Sequence, residues 1–206
     1  MRIDYANGGY YEGETNAEGK RHGHGRYTYA DGSYYVGEFK NGRFDGYGER
    51  YSADGYIYKG EWEDGLREGK GKLRYPNGDV YEGEWGSDDI EGYGRMSWAN
   101  GKVYEGEWET NRIQGKGRLT YPDGSYYDGD FVNGLMDGRG EYHWADGSYY
   151  VGSWKNARFY GKGKMYYADS SIFDGEWVDG KMHGNGTMTS ANGKVSRGMW
   201  KNGQKV

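Results

Sequence analysis

Four histidines, a row of carboxylates and eight Gly-x-Gly pairs are the residues of this sequence with the types and spacing for chemistry. His22 and His24 bracket Gly23 and could offer two imidazoles to a metal. A structural metal site takes about four ligands, and the sequence supplies no third ligand beside that pair. His143 falls by strand parity on a charged face, and His183 falls in a turn. Two carboxylates flanking one bond could run acid–base hydrolysis. Here Glu14, Glu38, Glu61, Glu84, Glu107, Asp130 and Glu176 recur as a row instead of standing out as one pair. Gly-x-Gly can present backbone amides to a phosphate. However, Gly46/Gly48, Gly69/Gly71, Gly92/Gly94 and their counterparts on to Gly184/Gly186 return every 23 residues, and none belongs to a Gly-Lys-Ser/Thr phosphate loop. Packing accounts for them. No Ser/His/Asp set is set apart, and the chain has no cysteine to act as nucleophile, metal ligand or disulfide partner. Catalysis needs residues that differ from their counterparts in the other repeats. The expectation is a non-enzymatic protein without metal or cofactor.

The elements that hold these residues are built from unusual material. The chain has 206 residues, 41 of them glycine and 2 proline, and Leu, Ile, Val and Phe together number only 22. Mean hydropathy is -1.16. By aliphatic content alone this would be a disordered chain. Aromatic residues nevertheless reach 18%, with 24 Tyr and 8 Trp, and the net charge is only -5. Disordered chains are poor in rings and far from neutral, so rings replace aliphatics as the apolar material. No apolar run is long enough for a membrane helix, and no signal or lipidation pattern is present. A pI near 5.5 with interspersed charges disfavours nucleic acid as a partner. The chain reads as soluble and cytoplasmic.

A 23-residue period runs the whole length. An aromatic-x-Gly core recurs at Tyr11/Gly13, Tyr35/Gly37, Tyr58/Gly60, Tyr81/Gly83, Tyr104/Gly106, Tyr127/Gly129, Tyr150/Gly152 and Phe173/Gly175. Ser196/Gly198 is a ninth copy without the ring. Two residues after the glycine comes a second ring: Phe39, Trp62, Trp85, Trp108, Phe131, Trp154, Trp177 and Trp200. Each unit closes on a turn such as Asp31-Gly32 or Asn77-Gly78, with Asp169-Ser170 the exception. Asp88, Asn111 and Ala157 stand where other units place a glycine in the first turn, so local differences are expected there.

Side chains alternate faces along a strand. One face carries the tyrosine, the glycine and the second ring, and the other carries the charges. Glycines leave room for rings, and each repeat's rings are expected to cover the next repeat's glycines, forming a core without a second layer. The charged face, with Arg26, Lys72, Arg95, Arg118 and Lys164 as a basic row beside the acids, is expected to form cross-strand pairs. The spacing predicts an all-β, single-layer antiparallel meander of about 18 short strands, without helices. It would be a rod or trough about 80–90 Å long at the usual strand spacing. Residues 1–206 read as one continuous array of about nine units with half-units at both ends, which suits a segment of a longer array.

This pattern resembles the MORN-repeat family (membrane occupation and recognition nexus), whose unit reads roughly Tyr-x-Gly-x-Trp, a turn, then Gly-x-Gly. The resemblance covers the whole chain. It implies a scaffold that tethers cytoskeletal structures or membrane junctions and holds partner segments in the sheet's groove. The all-repeat arrays of protozoan parasites, which this chain resembles, imply a place in cytoskeletal structures at the cell cortex and elongated dimers formed through terminal repeats. A phosphoinositide or membrane-surface reader is the alternative. It is disfavoured because no cluster of four to eight Lys/Arg occurs, and anionic membranes reward contiguous basic charge. An accessory role beside an enzyme is a third reading, with no catalytic segment to test it. Self-association is expected at the C-terminal repeats, through Met165, Tyr167, Trp177, Met188, Met199 and Trp200. Met199 takes the place of the row's acid there, and the edge is unguarded by charge.

Overall fold

A computed structural model describes all 206 residues. Nineteen antiparallel strands form one open sheet, and there is no helix. The contacts divide the chain into two compact units, Met1–Ala99 with Trp108–Asn111, and Asn100–Glu107 with Arg112–Val206. The first nine strands are β1 (Arg2–Asp4), β2 (Tyr10–Thr15), β3 (Arg21–Thr28), β4 (Tyr34–Lys40), β5 (Arg43–Tyr51), β6 (Ile57–Glu63), β7 (Leu66–Arg74), β8 (Val80–Gly86) and β9 (Asp89–Ser97). After β10 (Val103–Glu109) come β11 (Arg112–Thr120), β12 (Tyr126–Val132), β13 (Leu135–His143), β14 (Tyr149–Lys155) and β15 (Arg158–Tyr166). The last four are β16 (Ile172–Val178), β17 (Lys181–Thr189), β18 (Val195–Lys201) and β19 (Gln204–Lys205).

Two kinds of loop alternate. Asn41-Gly42 has φ 50° and 92°, the double left-handed pair of a type I′ turn, whose twist suits a two-residue hairpin. Ser87-Asp88, Thr110-Asn111 and Asn156-Ala157 take the same conformation, with φ 74°, 62° and 61° at their second residues. Their amides also make the same bond to the preceding repeat: Asp88 N–H to Arg67 O at 3.0 Å and Ala157 N–H to Met136 O at 2.9 Å, as Gly65 N–H does to Phe44 O at 2.9 Å. The local difference expected at these three turns does not occur. The closing turns of the units, Asp31-Gly32 and Asn77-Gly78 among them, belong to the other loop type, three residues long. Gly32 N–H donates to Tyr29 O at 3.1 Å, Tyr29 N–H donates to Ser33 O at 2.8 Å, and Asp31 Oδ1 accepts from Ser33 N–H at 2.9 Å.

The core is a line of rings. In register, Gly37 faces Gly48, Gly60 faces Gly71 and Gly83 faces Gly94. Over each such pair lies the repeat's own tyrosine, so a Cβ at Gly71 would meet the Tyr58 ring. Tyr35, Tyr81, Tyr104, Tyr127 and Tyr150 are fully buried there. The indole reaches back instead: Trp62 N–H donates to Gly48 O at 3.2 Å, Trp85 to Gly71 O at 3.3 Å and Trp154 to Gly140 O at 3.1 Å. The expected direction is therefore corrected. Rings cover their own repeat's glycines and those of the repeat before, because the tyrosine hydroxyl turns along its own strand to donate to the carbonyl three residues on, as Tyr81 does to Glu84 O at 2.9 Å.

Gly83 shows the correction plainly. Under the expected direction its cover would be a ring of the preceding repeat. Instead, a Cβ added there would meet the hydroxyl end of its own Tyr81 and, at 2.5 Å, the Cα of Gly94 across the strand pair. Gly83 is half-buried, with the Gly94 backbone as its partner across the strand pair. Gly129 and Gly152 repeat the arrangement, each against its own tyrosine and against Gly140 or Gly163. The rings meet edge to face, the favoured geometry of aromatic pairs. Tyr35–Trp62 is 5.5 Å at 87° and Tyr58–Trp85 is 5.3 Å at 89° in the first unit; Tyr127–Trp154 is 5.2 Å at 80° and Phe173–Trp200 is 5.1 Å at 80° in the second.

Candidate functional site

The ring face carries a groove in each unit. In the first, Tyr58, Trp62, Leu73 and Trp85 form a buried floor, and the hollow encloses about 460 Å³. Tyr56 and Tyr75 also line it. So does Arg67, its guanidinium 4.2 Å over the Trp85 ring and its Nε 2.9 Å from Asp88 Oδ1. Burial pushes the Tyr58 and Tyr75 phenols up, so both stay neutral hydrogen-bonding groups. In the second unit, Met136, Tyr142, Trp144, Trp154 and Phe159 line a hollow of about 320 Å³. Its Phe159 ring is backed by the buried Tyr150, on which it stacks at 3.9 Å. The rim rings Tyr75, Tyr142 and Trp144 are only half-buried, so part of each faces outward. Of the sequence's repeat positions, Tyr35, Tyr58, Trp62, Tyr81, Trp85, Tyr104, Trp108, Tyr127, Phe131, Tyr150 and Trp154 are all core residues. Among the repeat glycines, Gly37, Gly83, Gly129 and Gly152 are half-buried, and Gly60 and Gly106 are buried. Strand parity places the rim rings on this face, but sequence reasoning missed the charged pair beside them. Arg67 and Asp88 sit at positions whose role is set by a turn 21 residues on, which no strand parity announces.

The opposite face corrects a second expectation. Ring-bearing strands meet the next with a register break, as between Gly37 and Phe39, where Glu38 alone stands opposite Asp45, Gly46 and Tyr47. At Gly83 the break comes one residue sooner, directly before Glu84, which pairs with Glu91. The row of acids serves these bulges. Glu38 Oε1 accepts the Tyr47 amide at 3.2 Å, Glu61 accepts Lys70 N–H at 3.1 Å, Glu84 accepts Tyr93 N–H at 3.3 Å and Asp130 accepts Arg139 N–H at 2.8 Å. Accepting that amide holds the Asp130 carboxyl below its ordinary range. Cross-strand ion pairs exist, but largely with other acids: Lys72–Glu82 at 2.9 Å, Arg118–Asp128 at 2.7 Å and Lys164–Asp174 at 2.9 Å. Arg26 instead lies 3.9 Å over the Tyr34 ring.

The histidines stay apart. His22 accepts the Asn41 amide at 3.5 Å, and His143 is sandwiched between Tyr126 and Tyr149, at 4.6 Å and 5.0 Å. No three metal-ligating side chains converge. At the C-terminal repeats, Trp177 and Trp200 belong to the ring line, Met165, Tyr167 and Met188 are half-buried, and Met199 is exposed on the charged face. Val195 is also exposed on the same face of β18, with Arg197 between it and Met199. The Trp200 indole N–H is buried without an acceptor, unlike the Trp177 N–H, which donates to Gly163 O at 3.0 Å.

A family model described as the MORN repeat matches residues 17–34, 35–55, 58–80, 81–103, 104–126, 127–149, 150–172 and 173–195. Among solved structures, the TCP10 domain of Danio rerio CPAP is similar at 13% identity and a TM-score of 0.54, covering 100% of this chain and 95% of that one. A point mutant of the same domain aligns at 14% identity and a TM-score of 0.50, covering 97% and 99%. The TCP domain of Drosophila melanogaster SAS-4, solved in complex with a proline-rich motif of Ana2, aligns at 18% identity and a TM-score of 0.48, covering 92% and 96%. At these identities the likeness is one of fold.

Proposed function

Because the chain belongs to the MORN-repeat family, we propose that it acts as a non-enzymatic interaction scaffold that holds an extended partner segment along its ring-bearing face. One observation carries this reading: half-buried rings rim a groove whose floor is already fully packed. A preformed aromatic floor costs little to order and offers flat apolar surface, while rim groups such as Arg67 and the Tyr142 hydroxyl orient a backbone. Replacing both Tyr142 and Trp144 by alanine removes the rim and leaves the Tyr150–Trp154–Phe159 floor. Calorimetry against a segment recovered by proximity labelling should then show affinity lowered about tenfold or more, in line with loss of central aromatic contacts, while circular dichroism still shows the folded sheet. Equal affinity for that segment would sink the reading.

The self-association reading rests on Met199 and Val195, each 51% exposed on one face of β18. Two exposed apolar side chains flanking Arg197 on an otherwise charged face suit a self-complementary two-fold contact. Light scattering at high micromolar concentration is expected to give a dimer for the wild type and a monomer for Met199→Glu; a monomeric wild type would dispose of the contact. The resemblance to all-repeat MORN arrays favours a role in cortical cytoskeletal structures, so a tagged chain should remain in the detergent-insoluble fraction of the source cell. A membrane-surface role has less to draw on, since Lys72, Arg118 and Lys164 already have acidic partners. Strong co-sedimentation with anionic vesicles would reverse that order.

A further inference from the structure

The row of acids that serves the bulges is interrupted within the second unit. Midway between Asp130 and Glu176, at 23 residues from each, stands Ser153. The preceding repeat shows what the acid does. Asp130 accepts the amide of Arg139 at 2.8 Å and pairs with Lys116, its register partner on β11, at 3.0 Å. The next repeat has this frame without its acid. Arg139 faces Ser153 in register, and Lys162 follows the bulge residue Gly161 as Arg139 follows Gly138. A Cβ at Gly138 would lie 2.7 Å from Asp130 Oδ2, whereas one at Gly161 would meet nothing nearer than Ser153 Cβ at 3.6 Å.

Three donors therefore border one vacated place: the Lys162 amide, the Arg139 guanidinium and the Ser153 hydroxyl. Nearby acids do not compensate, because Asp128 is held by Arg118 at 2.7 Å and Asp174 by Lys164 at 2.9 Å. The Arg139 and Lys162 side chains are exposed and make no ion pair. Ser153, Arg139, Lys162, Lys164, Asp128 and Glu141 border a hollow of about 590 Å³.

We infer that this hollow is a binding site for a carboxylate side chain of an acidic partner segment, which completes the row that Ser153 interrupts. The equivalent places at Glu38, Glu61, Glu84 and Asp130 each hold a carboxylate on the bulge amide. A monoanion also suits a hollow bordered by Asp128, Glu141 and Asp174 better than a doubly charged phosphate, which they would repel more strongly. The site lies on the charged face, so it stands or falls separately from the ring-face groove.

The test is nitrogen-detected NMR of the full chain, following the Lys162 amide and the Arg139 side-chain signal during titration with N-acetyl-hexaglutamate. Saturable shifts of both are expected in the wild type. Affinity should fall about tenfold or more in Ser153→Glu, whose own carboxylate takes the place, as loss of a charged hydrogen bond implies. The same variant should melt higher than the wild type. If Ser153→Glu does not fold, Arg139→Gln at an exposed position makes the same comparison. Absence of saturable shifts, equal affinity in the folded variant, or tighter binding of inorganic phosphate than of the peptide would each overturn the assignment.

Discussion

A Cβ atom added at Gly106 would lie 2.5 Å from the Gly117 Cα, the Lys116 carbonyl oxygen and the Tyr104 hydroxyl. Two of those three are backbone of the paired strand, so the clash cannot be relieved by turning a side chain. Gly106→Ala is expected to cost about 3 kcal/mol, the upper end of overpacking effects, read as a lowered urea midpoint; a variant as stable as the parent would end the ring-over-glycine account. The need for glycine beside these rings is legible in the 23-residue spacing alone. Which glycine each ring covers is not, because the Tyr104 hydroxyl chooses an acceptor, Glu107 O at 2.9 Å, on its own strand. Parity assigns a side chain to a face but says nothing of its lean along the sheet.

At the level of the element, the two-residue turns separate backbone preference from side-chain rescue. Asp88, Asn111 and Ala157 all occupy the left-handed conformation that glycine adopts without strain. Asn111 offsets the strain by accepting the Ile90 amide on its side-chain oxygen at 2.8 Å, and Asp88 does the same for the Arg67 amide at 3.0 Å. Ala157 has no such group. Ala157→Gly is therefore expected to stabilise the chain by about 0.5–1 kcal/mol, while Asn111→Gly brings no gain; equal effects in denaturant titrations would show that the bond to Ile90 contributes nothing. These hairpins are legible from Asn-Gly and Asp-Gly pairs between alternating strands, although the same pairs also mark the three-residue loops. The bulges are not. Gly46-Tyr47 looks in sequence like the start of an even strand, and only pairing shows that two residues are left over and that Glu38 must serve them. The gap at Ser153 gains meaning only once that service is seen.

For the whole molecule, the repeat supplies fold and core together, and its regularity hides function. Rim positions such as Tyr142 and Trp144 fill the same pattern slots as purely structural rings elsewhere, so a partner cannot be read from their types. The regularity does give the chain one collective property. Tyr35, Tyr58, Tyr81, Tyr127 and Tyr150 occupy one repeat position across both units, and burial raises the ionisation of each above its ordinary value. A phenol ordinarily ionises near pH 10. Below that pH these tyrosines are protonated in the folded and unfolded chain alike, and they add no pH dependence. Above it the unfolded chain loses their protons while the folded chain keeps them, so the folded state binds more protons and stability falls as pH rises. Each tyrosine contributes up to about 1.4 kcal/mol per pH unit once its unfolded form is fully ionised. The melting temperature should therefore hold level up to about pH 10 as far as these groups are concerned, then drop steeply. Phenolate absorbance of these five residues should appear together with loss of β-sheet circular dichroism. Complete tyrosine ionisation in a chain whose sheet signal persists would show that the rings are not the sealed core that holds the repeats together.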